Sequence, residues 1–166
     1  MKLAPMAILG RALDALNQEL QADGTRESLC EVAVLHGETM ILDYGAESCG
    51  GMGWVRLVSG NPTASFPQPA QAGTCAQDLA FSVEMGVIRP APKIETFQKR
   101  IILPTADQQA AATSLALDDM AAMHRALKAF GSEMENFVLG AYTPIGPQEG
   151  TVGGSWSFTV GEELED

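Results

Sequence analysis

The sequence predicts an α+β domain, a mostly antiparallel β-sheet packed by an N-terminal helix and a long second helix. Three observations carry this. Apolar residues recur at three- and four-residue steps near the N-terminus and again across residues 105–130. Residues 79–88, LAFSVEMGVI, alternate in type as a half-buried strand does. Elsewhere glycine and proline cut the chain into apolar runs of strand length.

The first helix is predicted from about Pro5 to Ala22, because Ile8, Leu9, Ala12, Leu13, Leu16 and Leu20 fall on one face. Asp23-Gly24 ends it, glycine being suited to a left-handed cap. The stretch LCEVAVLHGETMILDYG then reads as a β-hairpin turning at His36-Gly37-Glu38, with Val32, Val34 and Leu35 on one arm and Met40, Ile41 and Leu42 on the other. In CGGMGWVRLVSG the glycines lead into a strand over Trp54–Val58. No lysine follows them at phosphate-loop spacing. Nor is there the third glycine or following helix of a dinucleotide fingerprint. Residues 60–73, GNPTASFPQPAQAG, hold three prolines and two glycines and read as a long loop. A loop of that length is a candidate contact segment, and Phe66 within it a candidate interface residue.

In the strand over 79–88, Leu79, Phe81, Val83, Met85 and Val87 face one side; Ala80, Ser82, Glu84 and Gly86 face the other, and Pro90 and Pro92 stop it. The second helix opens at Pro104-Thr105, where Thr105 and Gln108 form a capping box and Asp107 suits the positive end of the dipole. Ala116, Met120, Met123, Leu127 and Phe130 form its apolar stripe, and Gly131 closes it. A strand over Asn136–Tyr142, a turn-rich segment TPIGPQEGTVGG and a last strand over Ser155–Val160 follow. Trp156, Phe158 and Val160 are expected to face the core. Residues 1–166 read as one domain, with the acidic end GEELED (161–166) expected to be flexible.

Ten Lys and Arg against 21 Asp and Glu give a net charge of −11. Such a chain has no general attraction for nucleic acid. Lys93, Lys99 and Arg100 lie near one another and are expected to form a solvated basic patch on a loop. No apolar run approaches the ~20 residues of a membrane span. The N-terminal MKLAPMAILGRALDAL is interrupted by Arg11 and Asp14, as an amphipathic helix is and a signal peptide is not. The expectation is a soluble cytoplasmic protein without membrane contact. Cys30, Cys49 and Cys75 form no CxxC pair and are expected as free thiols in a reducing compartment, Cys49 and Cys75 being the pair to check for proximity.

No constellation predicts catalysis, a metal or a cofactor. His36 falls at a turn, and His124 lies one residue beyond the apolar stripe, where a solvated histidine is expected. Asp118 and Asp119 point about 100° apart around their helix and are poorly placed to share a metal. Asp78, Glu47 and Glu84 are isolated. The expectation is that the chain is not an enzyme and that its sheet edges and Pro-rich loops serve assembly.

Four stretches carry a family likeness: CGGMGWVRLVSGNPTASFP; the Cys75 region leading to a strand ending GVIRPAP; PTADQQAAATSLALDDMAAMHRAL; and GAYTPIGPQEGTVGGSWSFTV. In this order the chain resembles the tail-assembly and neck proteins of long-tailed phages of actinobacteria, over nearly its whole length. The order of two helices and several strands resembles the tail terminators in particular. That resemblance implies a homo-oligomer, a hexameric ring that caps the tail tube. It implies as partners the major tail tube protein and the head-tail stopper or connector, with genomic DNA passing through the lumen without specific binding. Its place would be the virion neck, reached by assembly in the host cytoplasm. On the same reading Trp54 fills the core or an intersubunit joint, and Arg56 meets a neighbouring copy. Glu84 or the C-terminal acids line an acidic lumen, and Tyr142 is a further interface candidate. Another neck protein, a tail-tube subunit, and a small enzyme or ligand-binding domain are the alternatives.

Overall fold

The structure, a computed structural model, describes residues 5–37, 50–73, 78–147 and 150–163. Helix α1 (Pro5–Ala22) has the predicted bounds and buries Ile8, Leu9, Ala12, Leu16 and Leu20. Gly24 caps it at φ +70°, the left-handed conformation a side chain would resist. After a single 3-10 turn at Arg26–Ser28 come β1 (Glu31–His36), β2 (Met52–Ser65), β3 (Gln68–Pro69) and β4 (Asp78–Pro90). A two-stranded hairpin, β5 (Glu95–Phe97) and β6 (Arg100–Ile102), leads to α2 (Ala106–Ser132), β7 (Asn136–Ile145) and β8 (Thr151–Glu163). The main sheet runs β1-β2-β4-β8-β7, with β3 attached to β2. Every pairing is antiparallel except that of β1 with β2. The α+β class read from the sequence is the observed one.

Both helices lie on one face of this sheet. They meet Val55 of β2, Phe81, Val83, Met85 and Val87 of β4, and Phe158 and Val160 of β8 in one core. From α2 come Ala122, Met123, Ala126, Leu127 and Phe130. Each large side chain so enclosed contributes about 1.5–3 kcal/mol relative to exposure. Phe130 meets Phe137 and Phe158 edge-on at 5.9 and 5.8 Å, an arrangement that suits the ring quadrupoles. Ion pairs close the rim between the helices: Arg125 with Glu19 (2.8 Å) and Asp23 (2.6 Å), and Arg11 with Glu133. The capping box of Thr105 and Gln108 forms as the sequence predicts.

Several boundaries differ from expectation, each because of how distant strands pair. The predicted hairpin partner of β1, around residues 40–42, lies outside the described residues. Within them β1 pairs in parallel with β2, from Glu31 opposite Met52 to His36 opposite Leu57. A parallel pair needs a long connection, and residues 37–51 supply it. The predicted 60–73 loop is in part strand: β2 continues to Ser65 and turns back into β3. Pro62 is tolerated there because β1 pairs with β2 only as far as Leu57, and the Pro62 carbonyl accepts from Ala70 N at 2.8 Å on the side away from β4, so the ladder with β4 needs no N–H from it. Thr63 is buried and its hydroxyl donates to the Gln68 carbonyl at 2.6 Å, closing the turn. Gly161–Glu163, expected as part of a flexible tail, belong to β8 and pair with Ala80–Asp78.

The cysteine expectation is overturned. Cys30 is disulfide-bonded rather than a free thiol, and its partner lies outside the described residues, as do Cys49 and Cys75. The backbone near Cys30 is pinned by two hydrogen bonds, Cys30 N to Gly51 O (2.9 Å) and Gly50 N to Ser28 O (2.6 Å). Gly51 sits at φ +129°, where an added Cβ would lie 2.0 Å from the Ile88 carbonyl oxygen. The glycine cluster therefore serves close backbone approach on the way into β2.

Candidate functional site

The second face of the sheet holds three of the sequence-predicted interface residues, and the register explains their company. Met52 lies opposite Ile88, Trp54 opposite Gly86, and Arg56 opposite Glu84. Trp54 is fully buried and covers Gly86, whose missing side chain makes room for the indole. Its Nε1 donates to Glu84 Oε1 at 3.2 Å, and Arg56 donates to Glu84 Oε2 at 2.5 Å. Trp54 therefore fills core, and Arg56 meets Glu84 of its own chain. Phe66 is half-buried and covers Gly161, where an added Cβ would lie 2.6 Å from its ring. Tyr142 is half-buried beside Trp156, ring centroids 5.6 Å apart. Burial raises the Tyr142 phenol above its ordinary range, and the nearby Asp119 charge adds to the effect.

The two histidines lie on different elements. His36 is exposed at the end of β1, and His124 is exposed on α2 with its ring 5.3 Å from Trp156. Trp156 in turn donates to the Met120 carbonyl at 3.2 Å. Among the described residues no group of three or more His, Cys, Asp and Glu could hold a metal ion. No described helix is long and apolar enough to cross a membrane.

One charged constellation escaped the sequence reading, although both of its motifs were visible. Arg89, from GVIRP, and Asp119, second of the Asp-Asp pair, form a buried bidentate ion pair at 2.6 and 2.8 Å. The remaining arm of the guanidinium donates to the Ser28 hydroxyl at 2.7 Å and to the Gly50 carbonyl at 3.3 Å. The end of β4, the middle of α2, the 3-10 turn and the glycine entry to β2 thus meet at one cation. Burying two charges is costly, and only such complete pairing offsets it. The adjacent Asp118 is exposed, as the turn of the helix requires.

The most unusual surface is the segment 93–103, KIETFQKRIIL, where a basic loop was expected. It forms the β5–β6 hairpin, separate from the main sheet, with every strand residue exposed. Phe97 (63%), Ile101 (71%) and Leu103 (66%) stand in solvent, with Ile94 and Ile102 beside them. Its turn residues Gln98 and Lys99 both have positive φ, 48° and 66°, the geometry of a tight hairpin turn that Asn and Gly usually fill. Without those residue types the turn carries no sequence signal. The following turns of α2 are also exposed, Leu115 and Leu117 included, and a cleft of about 460 Å³ opens between Pro92, Lys93, Gln108 and Ala111. Large exposed apolar patches mark interaction surfaces. This projecting arm, with the start of α2, is the candidate functional site.

Comparison with protein-family models found no match for this chain, and comparison with curated proteins found none.

Proposed function

We propose that this chain is a structural protein of the neck of a long-tailed phage, a tail terminator. Copies form a hexameric ring that caps the tail tube, joins it to the head connector and lets genomic DNA pass. The α+β class, with an N-terminal helix and a second helix lying across the sheet, agrees with the resemblance carried by the sequence motifs. The observation that carries the reading is the projecting apolar arm on a body whose buried arginine and aspartate are matched to each other. Exposed apolar side chains of this kind support a reading in which copies associate. The net charge of −11 suits a channel to which DNA must not adhere. Glu84 offers such a channel only part of its charge, because Arg56 pairs with it. A disulfide at Cys30 is compatible with a particle that leaves the cell, since such bonds persist in oxidising surroundings.

Electron microscopy of the phage neck, with this chain located in density, tests the proposal. A sixfold ring between tail tube and connector is the expected result. A twelvefold ring on the portal would make the chain an adaptor, and its absence from the neck would refute the reading.

A further inference from the structure

We infer that residues 93–103 are an assembly arm that docks, head to tail, on the acidic body of a second copy of this chain. The inference deepens the reading above by naming the contact, and rests on it for the premise that copies associate.

Both faces of the arm carry exposed large apolar residues. Cross-strand partners share a face, so Thr96 and Ile101 lie together, while Phe97, Arg100, Glu95 and Ile102 lie on the other side. By the same alternation Ile94 and Leu103 join Thr96 and Ile101. A two-stranded hairpin is marginal in water by itself, and one carrying five exposed large apolar residues gains most by being enclosed.

Charge selects the occupant. Residues 93–103 hold three cations and one anion, a net of +2, which leaves −13 for the rest of a chain whose total is −11. The body of another copy is therefore an attractive surface for the tip residues Lys99 and Arg100. Arm-to-arm pairing would set these cations against their own copies, which opposes a symmetric contact. A nucleic-acid partner would gain three cations and face the repulsion of the remaining −13. Arm and acceptor are thus different surfaces, and a contact of that kind closes into a ring when the rotation between copies allows it.

The test uses the full chain in three forms, wild type, Phe97→Ser/Ile101→Ser and Lys99→Glu/Arg100→Glu, in sedimentation velocity across a concentration series. Wild type is expected to assemble, and each variant to associate at least about tenfold more weakly, as loss of anchor residues at an interface does. Circular dichroism is expected to be unchanged. Because the serine variant keeps its acceptor body, a labelled mixture with wild type should still give mixed pairs. Wild-type assembly left intact in both variants would overturn the arm and leave the ring reading standing. A wild type that stays monomeric at every concentration would overturn the docking of the arm on a second copy, while the ring reading stands or falls on the neck density. Absence of mixed pairs would overturn the head-to-tail contact, and a duplex-DNA shift lost in the glutamate variant would replace the second copy with nucleic acid.

Discussion

Arg89 and Arg100 lie on either side of Pro90 and Pro92, and the fold treats the two regions in opposite ways. Arg89 is 4% exposed and makes four polar contacts to three separate parts of the chain. Arg100 stands in an exposed hairpin among apolar side chains that touch little. A charge is buried where it joins three parts of the chain, and apolar groups are exposed on a hairpin that stands apart from the main sheet. The contrast teaches that residue type alone does not say which side of the surface a residue occupies. What its neighbours in space can satisfy decides that.

The contrast can be broken first at the buried pair. Asp119→Ala strands the Arg89 guanidinium in the interior and is expected to destabilise by about 3–5 kcal/mol, measured by urea denaturation. The double replacement Arg89→Met/Asp119→Leu should recover much of that loss, since no unpaired charge remains. A cost below about 1 kcal/mol for the single change would show that the pair does not hold the body together. Next in size is Gly86→Ala. Its Cβ would lie 2.1 Å from the Trp54 ring, and overpacking of this kind costs about 1–3 kcal/mol. Tryptophan fluorescence during unfolding reads it directly.

At the arm the opposite result is expected. Phe97→Ser/Ile101→Ser should leave the unfolding free energy of the dilute protein, from urea denaturation, within about 0.5 kcal/mol of wild type, because the side chains removed are already in water. A large loss would mean that the arm belongs to the body. The smallest effect concerns Tyr142 and appears only in alkali. Its phenol titrates above the ordinary value of about 10 in the folded chain. The folded state therefore holds that proton more tightly, a contribution present below about pH 10 and lost as pH rises through the higher folded value. In a Tyr44→Phe background, ultraviolet absorbance should show Tyr142 ionising late, and Tyr142→Phe should flatten the alkaline decline in stability.

Much of the body was legible because its signals are local. The α1 bounds, the Thr105 capping box, the alternation of β4 and the α2 stripe each depend on residues within a few positions of one another. The partner of β1 was less accessible, since a run such as EVAVLH is equally suited to a hairpin or to a parallel neighbour. The strand character of residues 60–65 was hidden by Pro62 and Gly60, which fit because β4, distant in sequence, pairs along one side of this stretch and the Pro62 nitrogen faces the other. The candidate site was the least legible part. Its turn uses Gln98 and Lys99, and its apolar residues resemble those of any buried strand.

By itself the sequence determined the α+β class, the two amphipathic helices and the strongly acidic balance, because periodicity and charge are summed along the chain. Only the tertiary structure decided that Arg89 meets Asp119, that Trp54 covers Gly86, and that the apolar arm is left outside. Those are questions of which distant residues share a volume, and burial, with the electrostatics that follow from it, is set by that volume.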